Sequence, residues 1–457
     1  MKVCFLNPQR HEEKFDENFN IRYPVSRFSR GVDLSYNNII PPSELATLAA
    51  VVKEAGHDVK ILDANALGLL HRETCEWIRK QNPDLLVIKA GDTTFTDDII
   101  FYHYAEGLGI KTILWEDMLN PAYSQRLVKD FNIKNMLYGE PEEKIFEFLN
   151  GKIGVIGGGI VRDLNKLPIP LFEELPMEKY VQERKKTWYS FLERGCGWGK
   201  CKFCLMTASE NILRMRKTEH IAKEMDRLKE YGIERVFFWG PELNVSEKRA
   251  LNVAELMSQY PMEWECWARV DNVSEDMLKK LKQSGCFRIS FGVENGDQAV
   301  LDSYNKGITV DQIRRAFKLS KKVGLDTIAF VVMGTPYETP ETFKKTIKFL
   351  KEIKPSLIAP ANYRPFPNVE LTKIAEERGL IEKEPYQLML NADCTGIPIS
   401  CRTMAMNIKE LEYWTKELRK VGTKTAYKTY MFRPREWKRT AKDYFIRKKR
   451  FSLAKTD

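Results

Sequence analysis

The sequence predicts an α/β protein with two parallel-sheet domains, a doubly wound domain and then a partial (β/α)6 barrel, followed by a small helical C-terminal region. Two observations predict this class. Short apolar, β-rich runs alternate with amphipathic helical stretches along residues 1–150, and the same alternation returns from residue 188. A chain of 457 residues is also too long for one ordinary core. Residues 151–187 are rich in Pro and Gly and predict a linker between the domains.

The first domain, residues 1–150, is predicted as a parallel sheet covered on both faces, because its strands KVCFL, DVKIL, DLLVI, KTILW and KNML are almost continuously apolar. Its clearest helix is SELATLAAVVKEAG, in which Ser43 is expected to cap the first turn and Gly56 to end the helix. Ligands of such domains lie beyond the carboxyl ends of the strands. The loops at that edge begin at Asn7, Gly91, Glu116 and Gly139.

The second domain, residues 188–365, is predicted as six strand–helix units that curl into a partial barrel. Its strands are WYSFLER, RVFFW, WECWARV, RISFGVE, TIAFVVMG and SLIAPANY. One helix is well marked, because Thr309 and Gln312 form a predicted capping box and Gly324 is placed to end it. Active sites of such barrels lie at the carboxyl ends of the strands.

The C-terminal region, residues 366–457, is predicted to be helical near 369–379 and 408–421. The chain carries a formal charge of +10, and much of the excess lies in the run RPREWKRTAKDYFIRKKR at residues 433–450. Such a run attracts an anionic partner or forms the solvated face of a basic helix, and the sequence leaves both open.

The nine cysteines are few, odd in number and unpaired in spacing, which argues against a disulfide scaffold. The N-terminus MKVCFLNPQR has no features of a signal peptide, and no apolar run approaches the roughly 18 residues of a membrane span. A cytoplasmic, reducing location is therefore expected.

Three cysteines lie within nine positions of the stretch LERGCGWGKCKFCLM, directly after the first barrel strand. Cys196, Cys201 and Cys204 have no fourth ligand at zinc-like spacing, since the nearest histidine is His220 in a helical stretch. A [4Fe-4S] cluster held by three thiolates fits better, because its fourth iron stays open to another ligand. Zinc and coincidence remain as alternatives. Backbone freedom for a loop around a cluster comes from Gly195, Gly197 and Gly199.

The three cysteines, ending in Cys-x-aromatic-Cys after the first strand of a six-unit barrel, resemble those of radical S-adenosylmethionine (SAM) enzymes. The resemblance continues through FFWGPEL, WARVDNVSEDMLKKLKQSGCFRISFGVENGDQAVLDSYNKGIT, VVMGTPYETPETFKKTIKFL and YRPFPNVELTKIAEERGL. The domain order, with PPSELATLAAVVKEAGHDVKILDA and YGEPEEKIFEFL in the first domain, is similar to the branch with an N-terminal cobalamin-binding domain.

The resemblance implies a cluster on Cys196, Cys201 and Cys204, and SAM contacts at the ends of successive strands. Glu242 would take the SAM amino group, while Arg269 and Glu294 would lie near its ribose and carboxylate. Two simpler alternatives stay open. Arg269 could instead pair with Asp271 on the surface, and Glu294 could be a structural carboxylate at a strand end. Further contacts implied are Phe203 near the adenine and the turn from Gly334 to Pro336 beneath it.

The sequence departs from the family pattern at the first cysteine spacing, which has four residues where relatives usually have three. In the first domain the motif Asp-x-His-x-x-Gly is absent, so no histidine ligand to cobalt is expected. Trp115 and Glu116 stand where relatives usually have a Gly-Gly turn, and they are expected to narrow the corrin site. Arg214 and Arg216 resemble an Arg-x-Arg feature that meets an anionic group, with solvent exposure as the alternative.

The implied function is reductive cleavage of SAM to a 5'-deoxyadenosyl radical, with cobalamin-dependent methylation of an unactivated carbon. Alternatives are a radical oxidation, cyclisation or rearrangement with a vestigial cobalamin domain, and a non-catalytic cobalamin- or nucleic-acid-binding protein. The implied partners are a one-electron reductant such as flavodoxin or ferredoxin and a peptide, lipid or small natural-product substrate, with nucleic acid disfavoured. Cys394 and Cys401 are expected to be buried thiols rather than hydrogen donors or ligands of a second cluster.

Overall fold

Two parallel sheets organise the chain, as a computed structural model shows for residues 1–9, 39–91, 95–116, 121–208, 211–384, 386 and 399–431. Cys394 and the basic run at 433–450 lie outside these described residues. The helices within the described ranges are not long and apolar enough for any of them to cross a membrane. The predicted fold class, with its two α/β domains and helical C-terminal region, is confirmed.

The first sheet has six parallel strands in the order β2-β1-β3-β4-β5-β6. The order reverses between β1 and β3, which opens the crevice where doubly wound domains bind ligands. The strands are β1 (Lys2–Asn7), β2 (Asp58–Asp63), β3 (Leu85–Lys89), β4 (Lys111–Glu116), β5 (Asn135–Tyr138) and β6 (Gly154–Gly157). The helices are α1 (Ser43–Glu54), α2 (Ala64–Leu67), α3 (His71–Gln81), α4 (Phe95–Gly107), α5 (Pro121–Asp130) and α6 (Ile145–Leu149).

Two details of this domain differ from the sequence-based expectation. Ser43 is the first residue of α1 and not its cap, because the chain turns at Pro42, which provides no capping hydrogen bond. The sheet also continues into the predicted linker as β6. Glycine at its end allows a close approach to β5: a Cβ on Gly157 would lie 2.7 Å from the Tyr138 hydroxyl, and a Cβ on Gly158, the next residue, 2.4 Å from the Glu140 carbonyl oxygen.

The second sheet has six parallel strands and one antiparallel edge strand, in the order β15-β14-β13-β12-β11-β8-β7. The six parallel strands coincide with the six predicted ones, and the capping box of Thr309 with Gln312 and the left-handed Gly324 are present. The strands are β7 (Val181–Gln182), β8 (Lys185–Phe191), β11 (Arg235–Trp239), β12 (Glu263–Ala268), β13 (Cys286–Glu294), β14 (Asp326–Met333) and β15 (Leu357–Asn362), with a separate ribbon of β9 (Glu193–Arg194) and β10 (Arg214–Met215). The helices are α7 (Thr218–Glu230), α8 (Glu247–Met257), α9 (Glu275–Gln283), α10 (Gln298–Ser303), α11 (Val310–Val323), α12 (Pro340–Ile353), α13 (Glu370–Glu377) and α14 (Ile408–Met431).

The connecting segment packs against both sheets instead of spanning solvent. The Leu171 N–H donates to the Ala46 carbonyl of α1 at 3.1 Å, and the Tyr180 hydroxyl donates to Asp63 at 2.9 Å. Apolar residues of the segment join a hydrophobic cluster that contains strands of both sheets. Its single turns of 3-10 helix are Leu164–Lys166, Phe172–Glu174 and Met177–Lys179.

A buried ion pair fastens α7 to the first barrel strand. Arg216, which is 2% exposed, donates to Glu224 at 2.6 Å and to the carbonyl of Phe191 at 2.9 Å. Glu224 also accepts bonds from Trp188 and Ser190 on β8, both at 2.9 Å. Arg216 therefore holds the strand that leads into the cysteine loop, and the proposed solvent exposure is wrong for this residue.

Replacement of Arg216 by Met is expected to destabilise the protein by about 3–5 kcal/mol, because it leaves the Glu224 carboxylate buried without its cation. Urea unfolding followed by circular dichroism measures the loss. Arg227→Met is the control, on the helix that carries Glu224, since Arg227 pairs with Glu173 while 36% exposed, and it is expected to cost at most about 1 kcal/mol. Equal losses in the two variants would contradict this account of Arg216.

Candidate functional site

The three cysteines lie on a loop between β9 and β10, at the carboxyl end of the first barrel strand. Asn211 closes the loop on itself, because its side chain accepts from the Cys196 N–H at 2.8 Å and donates to the Cys196 carbonyl at 3.2 Å. A turn joins the other two ligand candidates, with the Cys204 N–H donating to the Cys201 carbonyl at 3.1 Å. The backbone thus presents all three thiols from one short segment.

Glycine is required at two points of this loop. Gly199 has φ 60°, in the left-handed region, and its N–H points at the Cys196 sulfur at 3.4 Å. A Cβ on Gly197 would lie 2.7 Å from the Glu242 carboxylate. Side chains at either position would push the loop away from the groups that hold it.

The thiols of the loop act on one another electrostatically. Burial raises the pKa of Cys201 to about 12, Lys306 opposes that rise, and Cys204 and Cys196 add to it. Burial also raises the pKa of Cys196, while the N–H of Gly199 opposes it. Ligation of a metal cluster would therefore displace protons from these thiols, and the Lys306 ammonium would stabilise the resulting thiolates.

The donor set of the loop bears on the kind of metal centre. All three candidate ligands are cysteine thiols carried by one short segment, and none of them is joined in a disulfide. Iron–sulfur clusters are held by cysteine thiolates, and a [4Fe-4S] cluster held by three of them keeps one iron open to another ligand. The residues present therefore fit an iron–sulfur cluster.

Glu242 follows β11 and connects that strand end to the cysteine loop. Its carboxylate accepts bonds from the N–H groups of Gly197 and Trp198 and lies 3.6 Å from the Cys196 sulfur. Beneath it lies Glu193, whose carboxylate accepts from the Glu242 N–H at 3.3 Å and whose pKa is raised to about 7 by burial. Glu193 is a part of the site that the sequence reasoning missed.

Arg269 follows β12 and is 11% exposed in its side chain. It pairs with Asp271 through hydrogen bonds of 2.7–3.2 Å, as one alternative from the sequence expected. The pair is largely buried, however, and does not lie on the surface. Its guanidinium also lies 3.7 Å from Glu242 and 5.0 Å from the ring centroid of Trp198. Arg269 therefore contributes positive charge at the barrel mouth.

Glu294 ends β13 in a strained conformation, with φ 58° at a break in the register with β14. Such bulges redirect side chains near functional sites. The carboxylate pairs at 2.8 Å with Lys306, whose ammonium lies 6.0 Å from the Phe203 ring centroid. Sequence reasoning assigned no role to Lys306, which lies in the connection after α10, 12 residues beyond the strand end that carries its partner.

Phe203, between two of the cysteines, packs on the barrel side of the loop. Its ring meets Tyr304 edge-on with centroids 5.4 Å apart. The surrounding apolar cluster contains Cys401, which is 1% exposed and whose thiol contacts the Arg402 carbonyl at 3.2 Å. Burial raises the pKa of Cys401 to about 12, as expected for an inert core thiol.

The turn from Gly334 to Pro336 follows β14 and is held by a buried carboxylate. Glu338 accepts bonds from the N–H groups of Gly334 at 2.6 Å and Thr335 at 2.9 Å. Burial raises the pKa of Glu338 to about 7, while those bonds oppose the rise. Gly334 has φ 82°, and a Cβ there would lie 2.9 Å from Leu411 of α14. The sequence analysis assigned no role to Glu338, which directly precedes Thr339, the cap of α12.

The extra residue in the cysteine spacing is accommodated by Trp198. Its indole N–H donates to the Asn305 carbonyl at 2.8 Å, and a Cβ on Gly307 would lie 2.2 Å from its ring. The longer loop is therefore fastened to the connection after α10, and its path around the thiols is set.

The carboxyl edge of the first sheet carries the second candidate site. Trp115 is 1% exposed within the core, its indole N–H donates to the Gly139 carbonyl at 3.0 Å, and the Lys89 ammonium lies 3.9 Å from its ring centroid. Its ring belongs to the hydrophobic core, and the expected narrowing of the corrin site by Trp115 and Glu116 stays a prediction. Glu116 is buried as well. Residues 10–38, 92–94 and 117–120 lie outside the described residues.

The described part of this edge carries buried amide side chains and backbone without side chains. Asn7 and Gln9 are buried there, and the Gln9 amide oxygen has no hydrogen-bond partner among the described residues. The glycines at residues 157–159 leave backbone without side chains at the end of β6. Amide groups and bare backbone suit a cofactor rich in amides, such as a corrinoid.

Comparison with known proteins agrees with this geometry. Residues 192–350 match the radical SAM superfamily model, a range that contains the three cysteines and all six residues expected to contact SAM. The uncharacterized methyltransferase PH0819 of Pyrococcus horikoshii is 25% identical over 421 residues, 86% of this chain and 88% of that protein. The anaerobic magnesium-protoporphyrin IX monomethyl ester cyclase of Rubrivivax gelatinosus is 25% identical over 433 residues, 85% of this chain and 73% of that protein.

Two solved structures share the architecture over almost the whole chain. The radical SAM methyltransferase TsrM from Kitasatospora setae, with cobalamin and a [4Fe-4S] cluster bound, has a TM-score of 0.70 at 15% identity and covers 99% of both chains. The cobalamin-dependent SAM radical enzyme OxsB, with aqua-cobalamin and SAM bound, has a TM-score of 0.71 at 15% identity, covering 98% of this chain and 71% of OxsB. At these identities the likeness concerns the fold. The family match and the cysteine loop together identify a radical SAM domain over residues 192–350, and the chain as a whole shares the fold of the two cobalamin-bound structures.

Proposed function

We propose that the protein cleaves SAM reductively at a [4Fe-4S] cluster on Cys196, Cys201 and Cys204, and that it methylates an unactivated carbon with the help of cobalamin. The observation that carries the proposal is the convergence of charged groups on the three-thiol loop. Glu242, which touches the loop, and the pair of Glu294 with Lys306 come from different strand ends of the same barrel.

Bound together, the cluster and SAM supply a 5'-deoxyadenosyl radical, and cobalamin supplies a transferable methyl group. The role of the protein residues is to bind SAM and to orient it. We assign the SAM ammonium to the Glu242 carboxylate, which lies 3.6 Å from the Cys196 sulfur. We assign the SAM carboxylate to the positive charges of Lys306 and Arg269, the ribose to Glu294 and the adenine to Phe203.

We assign the turn from Gly334 to Pro336 to the underside of the adenine. Glu338 holds this turn by its backbone amides, so it positions the turn without touching SAM. The largely buried side chains at the barrel mouth keep water from the reacting groups, which protects radical chemistry from side reactions.

We place cobalamin at the carboxyl edge of the first sheet. The fold shared with TsrM and OxsB supports this placement, as do the buried amides of Asn7 and Gln9. We propose that this domain extends through β6, beyond the boundary at residue 150, and that the barrel domain runs from residue 188 to 365. The helical region follows from 366.

Methyl transfer is favoured because the similarity to PH0819 spans most of both chains. The similarity to the Rubrivivax cyclase at the same identity favours a radical cyclisation or oxidation as the second candidate. Either reaction requires a one-electron reductant, for which flavodoxin or ferredoxin is proposed. A reducing cytoplasm would suit the free thiols.

Anaerobic reconstitution with iron and sulfide tests the cluster. The wild-type chain is expected to take up about four irons per chain and to show the broad visible absorption of a [4Fe-4S] cluster. The variant C196A/C201A/C204A is expected to lose both, while Cys75→Ala, which changes a half-buried thiol of the first domain, is expected to retain both. Uptake of zinc in place of iron, or no cluster in the wild type, would overturn the proposal.

Glu242→Gln and Lys306→Met are expected to weaken SAM binding by about tenfold each, because each removes one charge-assisted contact. Gln retains an acceptor for the amides of Gly197 and Trp198, so the cluster should assemble normally. Equilibrium binding of SAM to the reconstituted protein measures the effect. Glu263→Gln is the control, since Glu263 pairs with Arg235 at the opposite end of the barrel. Wild-type affinity in both site variants would contradict the assigned contacts.

Hydroxocobalamin retained after desalting tests the second site. Equimolar retention is expected for the wild type and for C196A/C201A/C204A alike, because the corrinoid is assigned to the first domain and not to the cysteine loop. Failure of both proteins to retain cobalamin would move the function to the cobalamin-independent alternative. Retention of cobalamin without any cluster in the wild type would instead support a non-catalytic cobalamin-binding protein.

A further inference from the structure

Two arginines lie directly opposite each other on the ribbon that closes the cysteine loop. Arg194 of β9 pairs in register with Arg214 of β10, and Cys196 follows Arg194 by two residues. Their side chains are only 11% and 8% exposed. Like charges at opposite positions of an antiparallel pair repel each other, so this ribbon needs anions to hold it closed.

The anions come from the other domain. Glu140 accepts bonds from both terminal nitrogens of Arg214 at 2.6 and 2.7 Å, and it lies 3.4 Å from Arg194. Glu142, which is 2% exposed, accepts from Arg194 at 2.5 Å. Both carboxylates belong to the loop YGEPEE after β5, at the carboxyl edge of the first sheet.

The backbone of the first sheet fixes the position of these carboxylates. Gly139 has φ 79°, and Glu140 forms an antiparallel bridge to Gly159 after β6. The Glu140 carboxylate accepts further from the Val161 N–H at 2.9 Å. Burial opposes ionisation of Glu140, but the bonds from Arg214 and the charge of Arg194 lower its pKa. The carboxylate is therefore charged, oriented and attached to a rigid edge.

We propose that Glu140 and Glu142 are positioning residues for the cluster, which lock the cysteine ribbon onto the first domain through Arg194 and Arg214. The first domain then helps to hold the SAM site in shape, in addition to binding the cobalamin proposed for it. This inference rests on the proposed function for the identity of the cluster. It adds that the loop geometry at Cys196 depends on the carboxylates of Glu140 and Glu142, which lie more than 50 residues away in sequence from the arginines that they bind.

The variant E140Q/E142Q removes both charges and keeps the side-chain shapes. In the apoprotein, hydrogen–deuterium exchange of the loop peptides covering residues 195–213 is expected to rise by about tenfold, because the two facing arginines lose their anions. After reconstitution, SAM affinity is expected to fall by about tenfold, although no SAM contact has been altered. Arg214→Lys is expected to give intermediate values, since lysine keeps the charge but loses the bidentate fork.

Glu183→Gln is the matched control. Glu183 also joins two largely buried arginines, Arg235 and Arg288, but at the amino end of the barrel. A comparable loss of thermal stability with normal loop exchange and normal SAM affinity is expected there. If E140Q/E142Q and Glu183→Gln gave the same loop exchange, the positioning role would be overturned.

The exchange measurement needs no cluster, so it separates this inference from the proposed function. Failure of the wild type to assemble a cluster would overturn the proposed function. The exchange result would then decide by itself whether Glu140 and Glu142 hold the cysteine ribbon in place. A normal cluster with unchanged loop exchange and unchanged SAM affinity in E140Q/E142Q would overturn the lock alone.

Discussion

The bonds from the amides of Gly197 and Trp198 to the Glu242 carboxylate are the contacts on which the site depends. They fasten a glycine-rich loop, which has little secondary structure of its own, to the end of a barrel strand. A carboxylate that accepts loop amides and lies beside Arg269 is already oriented before any ligand enters. Preorganised charge of this kind costs no rearrangement when a ligand binds.

Charge balance at the barrel mouth follows from the same principle. A buried carboxylate or ammonium is costly unless it is paired, and the charged side chains discussed at this edge are paired. Glu294 meets Lys306, and Arg269 meets Asp271 within its own loop. Arg269 also lies 3.7 Å from Glu242 and donates to the Lys306 carbonyl at 3.2 Å, so it joins the ends of neighbouring strand–helix units. The Arg214 pair with Glu140 extends this arrangement to the first domain.

Much of the fold was predictable from sequence because it rests on local signals. Alternation of apolar strands with helices placed the six parallel barrel strands, and Thr309 with Gly324 marked one helix correctly. The strand β6 was missed because glycine hides its apolar pattern. Lys306 and Glu193 were missed for a different reason: their partners, Glu294 and Glu242, lie 12 and 49 residues away in sequence. No local pattern distinguishes a buried pairing lysine from a solvated one.

The cysteine spacing shows how such a distant contact can compensate for a local irregularity. An added residue between Cys196 and Cys201 lengthens the loop and would ordinarily increase its freedom. Here the indole of Trp198 reaches Asn305 and covers Gly307, where any side chain would collide with it. Trp198 and Gly307 are therefore physically coupled, since a larger residue at 307 would displace the indole and with it the loop. The longer spacing and the glycine after α10 are best understood as one feature, which keeps the three thiols on a defined path at the mouth of the barrel.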